Sequence, residues 1–218
     1  MNKGLDRVFI HKLFYFLVSK GVTYNAKYAA MYMIMGENSE RDVQHMESDV
    51  KESTEKLAEI IETYLCYDLK TTLLRISLEF PGNNGFEFEV TIIPSRDEGS
   101  LINFVTNTAI IEEETTFLSF VELCKETFIR FNFEYGAFRD EYNGTIPAIT
   151  EKFIKTKPDI VNFYSRPITD AIGREKLLSA PAFKVEELEN GGVMLIVCTE
   201  AVGCPEAMER VWHHLGYN

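Results

Sequence analysis

The sequence predicts an α+β fold, an antiparallel sheet covered by helices, in a single domain spanning residues 1–218. Hydrophobic residues make up 45% of the chain and charged residues 26%, which is the composition of a globular protein with a sizeable core. The apolar spacing changes along the chain between a helical period and strict alternation. Helices and strands also come in blocks rather than as a repeated strand–helix series, and no repeat or long linker divides the chain.

Two helices are predicted ahead of the sheet. Apolar residues at helical spacing place the first over Asp6 to Lys20, with a glycine positioned to stop it. The run from Met31 to Met35 fits either a short strand or a helix end, and its length leaves both open. The second helix contains Leu57 to Leu65, and Ser39 with Asp42 resembles a capping box that would start it earlier.

A period of two predicts an antiparallel meander after the second helix. Leu74 to Phe80 and Phe86 to Ile92 alternate apolar with polar residues, and the turn residues from Pro81 to Gly85 join them as a hairpin. Leu101 to Ile111 supplies a third strand. A long helix from about Thr115 to Phe131, capped by a threonine at its start, has an apolar stripe that is predicted to cover this sheet.

Past Phe133 the pattern is less regular, with a possible short strand up to Arg139 and a helix from Thr145 to Pro158. A turn is predicted at residues 190–192. The remaining elements are predicted to be, in chain order, a strand at Val161 to Tyr164, a short helix at Thr169 to Leu178 broken at Gly173, a strand at Phe183 to Leu188, a central strand at Val193 to Cys198 and a final helix opened by Pro205.

The chain is acidic, with 22 Lys and Arg against 34 Asp and Glu and a net charge of −12. Such a field repels phosphate backbones and anionic lipids, so we expect neither nucleic acid nor a membrane as partner. It attracts basic surfaces, although acidity that serves only solubility is an equally open interpretation. No apolar stretch approaches the roughly 20 residues of a membrane helix, and the chain is placed in the cytoplasm.

The four cysteines are scattered and form no C-x-x-C pair: Cys66, Cys124, Cys198 and Cys204. Most lie in apolar stretches, so they are interpreted as buried free thiols, which fits a cytoplasmic protein. Cys124 lies in the apolar stripe of the long helix, where nothing basic lowers its pKa, and a core role is favoured over a nucleophilic one.

No motif for catalysis is found. The chain lacks a glycine-rich phosphate loop and a G-x-S-x-G nucleophile elbow. The adjacent His213 and His214 point about 100° apart on a helix, so they cannot chelate one ion as an i, i+4 pair would. We therefore expect no enzyme activity, no catalytic residue, no cofactor and no metal.

Two groups of residues are candidates for partner binding. Acidic runs fit either a solvated edge or a docking patch for an electropositive partner. Polar and aromatic residues in the irregular stretch after the long helix fit a structural role as well as a functional one, because loops often hold binding residues. The candidates are Glu112, Glu113, Glu114, Glu186 and Glu187 in the acidic runs, and Tyr135, Arg139, Asp140, Glu141 and Tyr142 in the irregular stretch.

Short motifs in the last third of the chain occur in a recognisable order. They are Asn162-Phe163-Tyr164-Ser165, Ile172-Gly173, Leu178-Ser179-Ala180-Pro181, Val185-Glu186-Glu187-Leu188 and Asn190-Gly191-Gly192-Val193, with Tyr135-Gly136-Ala137 upstream. This segment, from about Phe133 to Leu215, resembles bacterial polymorphic-toxin immunity proteins, and among them the immunity protein 52 family. The resemblance implies a non-catalytic α+β protein that binds and neutralises a cognate secreted toxin by direct contact.

An alternative of another class stays open. An α+β domain rich in aromatic residues could bind a small molecule, or catalyse weakly, in a pocket lined by rings with Glu or His as polar anchors. A deep enclosed cavity of that kind would favour this alternative, whereas a flat acidic face with exposed aromatic rings would favour a protein partner.

Overall fold

The computed structural model describes residues 6–24, 32–35, 41–42, 54–69, 72–82, 85–93, 101–106, 113–138, 157–199 and 204–217. The chain divides into two compact units, Met1–Ile110 and Ile111–Asn218. Each unit combines helices with an antiparallel sheet, so the predicted α+β class is confirmed. That all 218 residues form a single domain stays a prediction.

The described strands of the first unit form one antiparallel sheet in the order β3-β2-β4-β5-β6, with β1 also paired to β4. The predicted meander is confirmed as β4, β5 and β6. The elements are, in chain order, α1 (Arg7–Ser19), β1 (Thr23–Tyr24), β2 (Tyr32–Met35), β3 (Arg41–Asp42), α2 (Thr54–Leu65), β4 (Leu73–Phe80), β5 (Phe86–Ile93) and β6 (Leu101–Thr106).

Local chemistry explains where these elements begin and which side they bury. The carboxylate of Asp6 accepts the backbone N–H of Phe9 at 2.7 Å and caps α1. Burial in β5 alternates strictly along the strand, as its sequence predicts. In the buried region between α2 and β4 the hydroxyl of Tyr64 donates to the carbonyl of Thr72 at 3.0 Å.

In the first unit, one sequence prediction is wrong and one open alternative is decided. The capping box at Ser39 and Asp42 is wrong, because Asp42 belongs to β3 and pairs there with Ile34 of β2. Of the run at Met31 to Met35, left open by its length, Tyr32–Met35 is the strand β2, and Met31 lies outside the described residues. The third predicted strand is described only as far as Thr106, and residues 107–112 lie outside the described residues.

The second unit has a four-stranded antiparallel sheet in the order β7-β8-β10-β9, which confirms the predicted central position of the strand from Val193. Gly173, at φ 111°, separates two short helices as expected. The elements are α3 (Glu114–Phe131), β7 (Tyr135–Phe138), β8 (Val161–Tyr164), α4 (Arg166–Ile172), α5 (Arg174–Leu178), β9 (Lys184–Glu187), β10 (Val193–Ile196) and α6 (Pro205–Leu215).

Helices cover both faces of this second sheet. One apolar cluster joins Phe117, Val121 and Phe128 of α3 to Val161 and Phe163 of β8. The opposite cluster joins residues of α4, α5 and α6 to the other side of the strands, and its members include Ile168, Leu177, Val193, Leu195, Val211 and Leu215. Every residue of β8 and β10 is buried as a result.

The start of the long helix α3 differs from the prediction. Its N-cap is Glu113, which makes no side-chain capping hydrogen bond, and not a threonine. Its apolar stripe packs against β8 and β10, and that it covers the meander stays a prediction. Most of the helix predicted from Thr145 to Pro158, and the end of the predicted strand at Arg139, lie outside the described residues.

The prediction of four buried free thiols is wrong for three of the cysteines. Cys198 and Cys204 form a disulfide that closes a sequence separation of 6 residues between the end of β10 and the start of α6. Cys66 is a free thiol but lies exposed just after α2. Cys124 is free and belongs to the α3-side cluster, in line with the predicted core role.

Candidate functional site

The structure describes five of the ten candidate partner-binding residues, all in the second unit. Glu113 and Glu114 lie at the start of α3, Tyr135 lies in β7, and Glu186 and Glu187 end β9. The other five, Glu112, Arg139, Asp140, Glu141 and Tyr142, lie outside the described residues. The described candidates do not form one patch, because each is held in a different environment.

Glu186 is neutralised inside the unit. Its carboxylate contacts the ammonium of Lys184 at 2.7 Å and that of Lys125, on α3, at 3.0 Å. The hydrogen bond from Lys184, joined by that from Lys125, outweighs partial burial and lowers the pKa of Glu186. Its charge therefore fastens the edge strand β9 to α3 and is not available as a docking charge.

Glu187 points to the opposite face of the sheet, as adjacent residues of a strand must. Its carboxylate contacts the Arg174 guanidinium at 2.5 Å, and the same guanidinium contacts Asp170 at 3.0 Å. Arg174 also donates to the carbonyl of Gly191 at 2.7 Å. Glu187 therefore helps to fix α5 against the hairpin between β9 and β10.

Glu113 and Glu114 remain exposed at the N-terminus of α3. Glu113 accepts a hydrogen bond of 3.3 Å from the hydroxyl of Thr116. Glu114 lies in the first turn, where a negative charge is favourable next to the positive end of the helix dipole. Of the predicted candidates that are described, these two carboxylates are the ones that face solvent without a short ion pair.

Tyr135 belongs to a buried polar cluster that the sequence analysis missed. Its hydroxyl donates to Asn162 Oδ1 at 3.2 Å. The same oxygen accepts the backbone N–H of Asp159 at 3.0 Å, and Asn162 Nδ2 donates to the Asp159 carbonyl at 2.8 Å. The sequence contains one indication of this cluster, which is the polar residue Asn162 inside the otherwise apolar strand Val161–Tyr164. The Asn162 amide oxygen accepts two of these bonds and its nitrogen donates the third, so the cluster fixes the entry to β8.

The tyrosines around Asn162 are not suited to acid–base chemistry. The Tyr164 ring lies 5.7 Å from that of Tyr135, between ring centroids. Burial, with smaller effects from Tyr135, Tyr217 and Asp159, raises the pKa of Tyr164 well above its ordinary value. Burial also raises the pKa of Tyr217. Both phenols therefore stay protonated near neutral pH.

Ser179 and His214 resemble a nucleophile and its base, since Ser179 Oγ lies 3.2 Å from His214 Nε2. Both groups already form hydrogen bonds to backbone carbonyls near the end of α5. The Ser179 hydroxyl donates to the carbonyl of Glu175 at 2.7 Å, and His214 Nε2 lies 2.9 Å from the carbonyl of Lys176. Because Nε2 must carry a proton to bond that carbonyl, it cannot accept one from Ser179. The pair caps the last turn of α5.

An open groove of about 510 Å³ lies along α6. It is lined by Pro181, Glu206, Glu209, Arg210 and His213. Four of these residues recur every three or four positions along one side of α6, a spacing visible in the sequence but typical of any solvated helix face. The groove has no aromatic lining and is not enclosed, so it does not favour the small-molecule alternative.

Phe183, two residues along the chain from Pro181, exposes 55% of its surface. One exposed aromatic ring is normal on a protein surface, so the exposure of Phe183 alone does not distinguish a binding residue from a packing residue. The apolar pattern predicts that Phe183 lies in a strand but not that its ring is exposed, because the two sides of a short strand at a sheet edge look alike in sequence. In the first unit Tyr15 of α1 is 77% exposed.

No helix among the described residues is both long enough and apolar enough to cross a membrane. Within the same described ranges, no group of three or more His, Cys, Asp or Glu side chains is arranged to hold a metal ion. No known protein family, curated protein or solved structure matches the chain.

Proposed function

We propose that the chain is a bacterial immunity protein that binds a cognate secreted toxin in the cytoplasm and neutralises it by direct contact, without catalysis. The observation that carries the proposal is the exposure of an aromatic ring and of carboxylates on the second unit: the Phe183 ring, Glu206 and Glu209 on α6, and Glu113 and Glu114 on α3, which covers the opposite face of the sheet. The order of the short C-terminal motifs, which resembles that of the immunity protein 52 family, supports the same function.

The exposed groups have complementary roles in such an interface. Exposed aromatic rings are frequent anchors of protein–protein contacts, because one ring buries a large area at a low cost in side-chain entropy. Exposed carboxylates attract a basic partner and raise its association rate. The net charge of −12 extends that attraction beyond the contact itself.

Co-expression with the toxin encoded next to this protein tests the proposal directly. We expect cells that produce both proteins to survive and the two proteins to co-purify as a complex. The proposal is refuted if the toxin kills cells equally with and without this protein, or if the pair does not associate at micromolar concentrations.

Variants of the exposed groups distinguish an effect on the dissociation rate of the complex from an effect on its association rate. Phe183→Ala should weaken the complex by about 1–3 kcal/mol through a faster dissociation rate. The double variant Glu113→Gln, Glu114→Gln should slow association several-fold at low salt. It should also make the association rate less dependent on salt, because salt at 0.15 M screens the attraction between charges more than about 8 Å apart.

Glu175→Gln is the matched control for the double variant. Glu175 is an exposed carboxylate in the first turn of α5, so its removal changes charge in a comparable helical position. If neither salt nor the double variant changes the association rate, the carboxylates do not raise that rate by electrostatic attraction. A response to Glu175→Gln as large as to the double variant would show a general charge effect.

A further inference from the structure

We infer that the Cys198–Cys204 disulfide is a redox-sensitive clasp, whose reduction releases the N-terminal half of α6 while the rest of the second unit stays folded. The inference does not depend on the toxin-binding function. It rests on three features of the structure: the position of the bond, the uneven anchoring of α6 and the lack of a side-chain cap at its start.

The bond ties together two sides of the sheet. Cys198, which is 8% exposed, follows β10, and Cys204 is the N-cap residue of α6. Both cysteines pack with the cluster on the α3 side. Val211 and Leu215, further along α6, pack on the opposite side. The disulfide therefore joins the start of α6 to the apolar cluster on the α3 side of the sheet, whereas Val211 and Leu215 of the same helix pack on the other side.

The C-terminal half of α6 is held without the disulfide. Val211 is fully buried and Leu215 is 6% exposed. Trp212 Nε1 donates to the carbonyl of Pro158 at 2.8 Å, and the Lys176 ammonium donates to the carbonyl of Leu215 at 2.6 Å. These two bonds come from separate segments and add to the burial of Val211 and Leu215, so this half stays docked when the bond is broken.

The N-terminal half is held weakly apart from the disulfide. Pro205, Glu206, Glu209 and Arg210 are exposed. Ala207 and Met208 are only half-buried in this part of the helix. The burial therefore rises from the first turn of α6 to the last, and the covalent bond lies at the end where packing contributes least.

The start of α6 also lacks the chemistry that normally stabilises a helix end. Cys204 makes no side-chain hydrogen bond to the first turn. A thiol is a poor acceptor for the first backbone N–H groups, which Ser, Thr, Asp or Asn satisfy in most helices. Once the bond is broken, no side-chain cap opposes fraying of residues 205–210, and the packing that opposes it is the partial burial of Ala207 and Met208.

Reduction by a small dithiol proceeds by two exchanges. A thiolate of the reductant attacks the sulfur of Cys204, the more exposed of the pair, and Cys198 leaves as a thiolate. The second reductant thiol then attacks the mixed disulfide and releases Cys204, so the protein gains two electrons and two protons and the reductant becomes a disulfide. Cys124 shares the cluster, but burial raises its pKa to about 12, which keeps it from competing as a nucleophile.

Release of this half would dismantle the groove along α6. Glu206, Glu209 and Arg210 line the groove together with Pro181 of the neighbouring turn, so their positions define its shape. In a reducing cytoplasm the dithiol is the resting form, and a small-molecule disulfide would close the clasp by the reverse two exchanges, itself being reduced to two thiols, and would complete the groove. The redox state of one bond thus controls a surface of the second unit.

Hydrogen exchange on the full chain, with and without dithiothreitol, tests the clasp. We expect reduction to speed exchange at the amides of Met208, Glu209 and Arg210 by about tenfold or more, because local opening then costs less. The amides of Val193–Ile196, and those of Gly216 and Tyr217, which bond to the carbonyls of His213 and Trp212, should change by less than about twofold. The double variant Cys198→Ala, Cys204→Ala, which removes the bond without adding a capping hydroxyl, should exchange like the reduced protein under both conditions, and Cys66→Ser should behave like the unaltered chain.

Alkylation of the native protein supplies the second measurement. In the oxidised protein iodoacetamide should modify Cys66, and after reduction it should also modify Cys204. The inference is overturned if air-oxidised protein has alkylatable thiols at both Cys198 and Cys204. It is equally overturned if reduction leaves exchange at residues 208–210 unchanged, or if it raises exchange to the same extent throughout the second unit.

Discussion

Asn162 lies on β8 with no exposed surface, between Ala137 of β7 and Leu195 of β10 in the sheet register. Its amide bonds both backbone polar atoms of Asp159 and the hydroxyl of Tyr135. A polar side chain in this position is tolerated only because those bonds replace the water that burial removes.

Asn162→Ala should therefore be costly. The variant removes the amide that bonds the N–H and carbonyl of Asp159 and the hydroxyl of Tyr135. We expect a loss of about 2–3 kcal/mol in the free energy of unfolding, measured by urea titration with circular dichroism. A loss below about 0.5 kcal/mol would mean that water or a shift of the chain replaces the amide.

Ser165→Ala should have the opposite sign. The Ser165 hydroxyl is buried and, within the described part of the chain, has no hydrogen-bond partner. Removing an unsatisfied buried hydroxyl while keeping the Cβ is expected to stabilise the protein by up to about 1 kcal/mol in the same titration. Destabilisation of similar size would show that the hydroxyl has a partner in solution, such as an ordered water.

At the scale of secondary-structure elements, ion pairs connect the edge strand β9 to helices on both of its faces. Glu186 reaches Lys125 of α3, and Glu187 reaches Arg174 of α5. Charged residues on an edge strand also hinder pairing with another chain, so the same side chains fasten the strand and protect it.

The contribution of Glu186 should depend on pH in a defined direction. Its folded-state pKa is lowered by Lys184 and Lys125, so its stabilisation is present above the unfolded pKa of about 4.3 and is lost as pH falls through the folded value. Glu186→Gln should reduce the loss of stability between about pH 5 and pH 3, measured by thermal unfolding at several pH values. Glu189→Gln, an exposed neighbour beyond the strand, is the control, and an equal effect from it would contradict the assignment.

Periodicity predicted most helices and strands of this chain, while capping and element partners were harder to predict. The helices from Arg7 and Pro205 and the strands of the meander have strong apolar patterns and fall where predicted. The capping box at Ser39 failed because a short polar motif is compatible with a strand as well as a helix start. The stripe of α3 predicts burial but does not specify which sheet it covers.

At the scale of the whole molecule, the second unit has its own sheet and its own two apolar clusters. We therefore expect a fragment from Ile111 to Asn218 to fold alone, with cooperative unfolding by circular dichroism and protected amides in β8 and β10. A fragment that binds a hydrophobic dye and lacks protected amides would contradict this expectation and would favour the single-domain prediction.

The candidate site was harder to predict than the fold, because its chemistry depends on residues far apart in sequence. Glu186 and Lys125 are 61 positions apart, so nothing in the acidic run indicated that its charge is neutralised. The same holds for Trp212 and Pro158, which are 54 positions apart. Composition predicted an acidic surface, but only the fold separates carboxylates that hold the structure from those that face solvent.

The burial of β8 and β10 on both faces has a consequence for sequence change over time. Substitutions in these strands disturb two packed layers at once, so mutational drift there should be slow. Pro181, Phe183, Glu206, Glu209 and Arg210 have no such constraint, since all five are exposed. A library randomised at those five positions should keep its fold in most clones, which makes this surface the natural starting point for retargeting the protein to new partners.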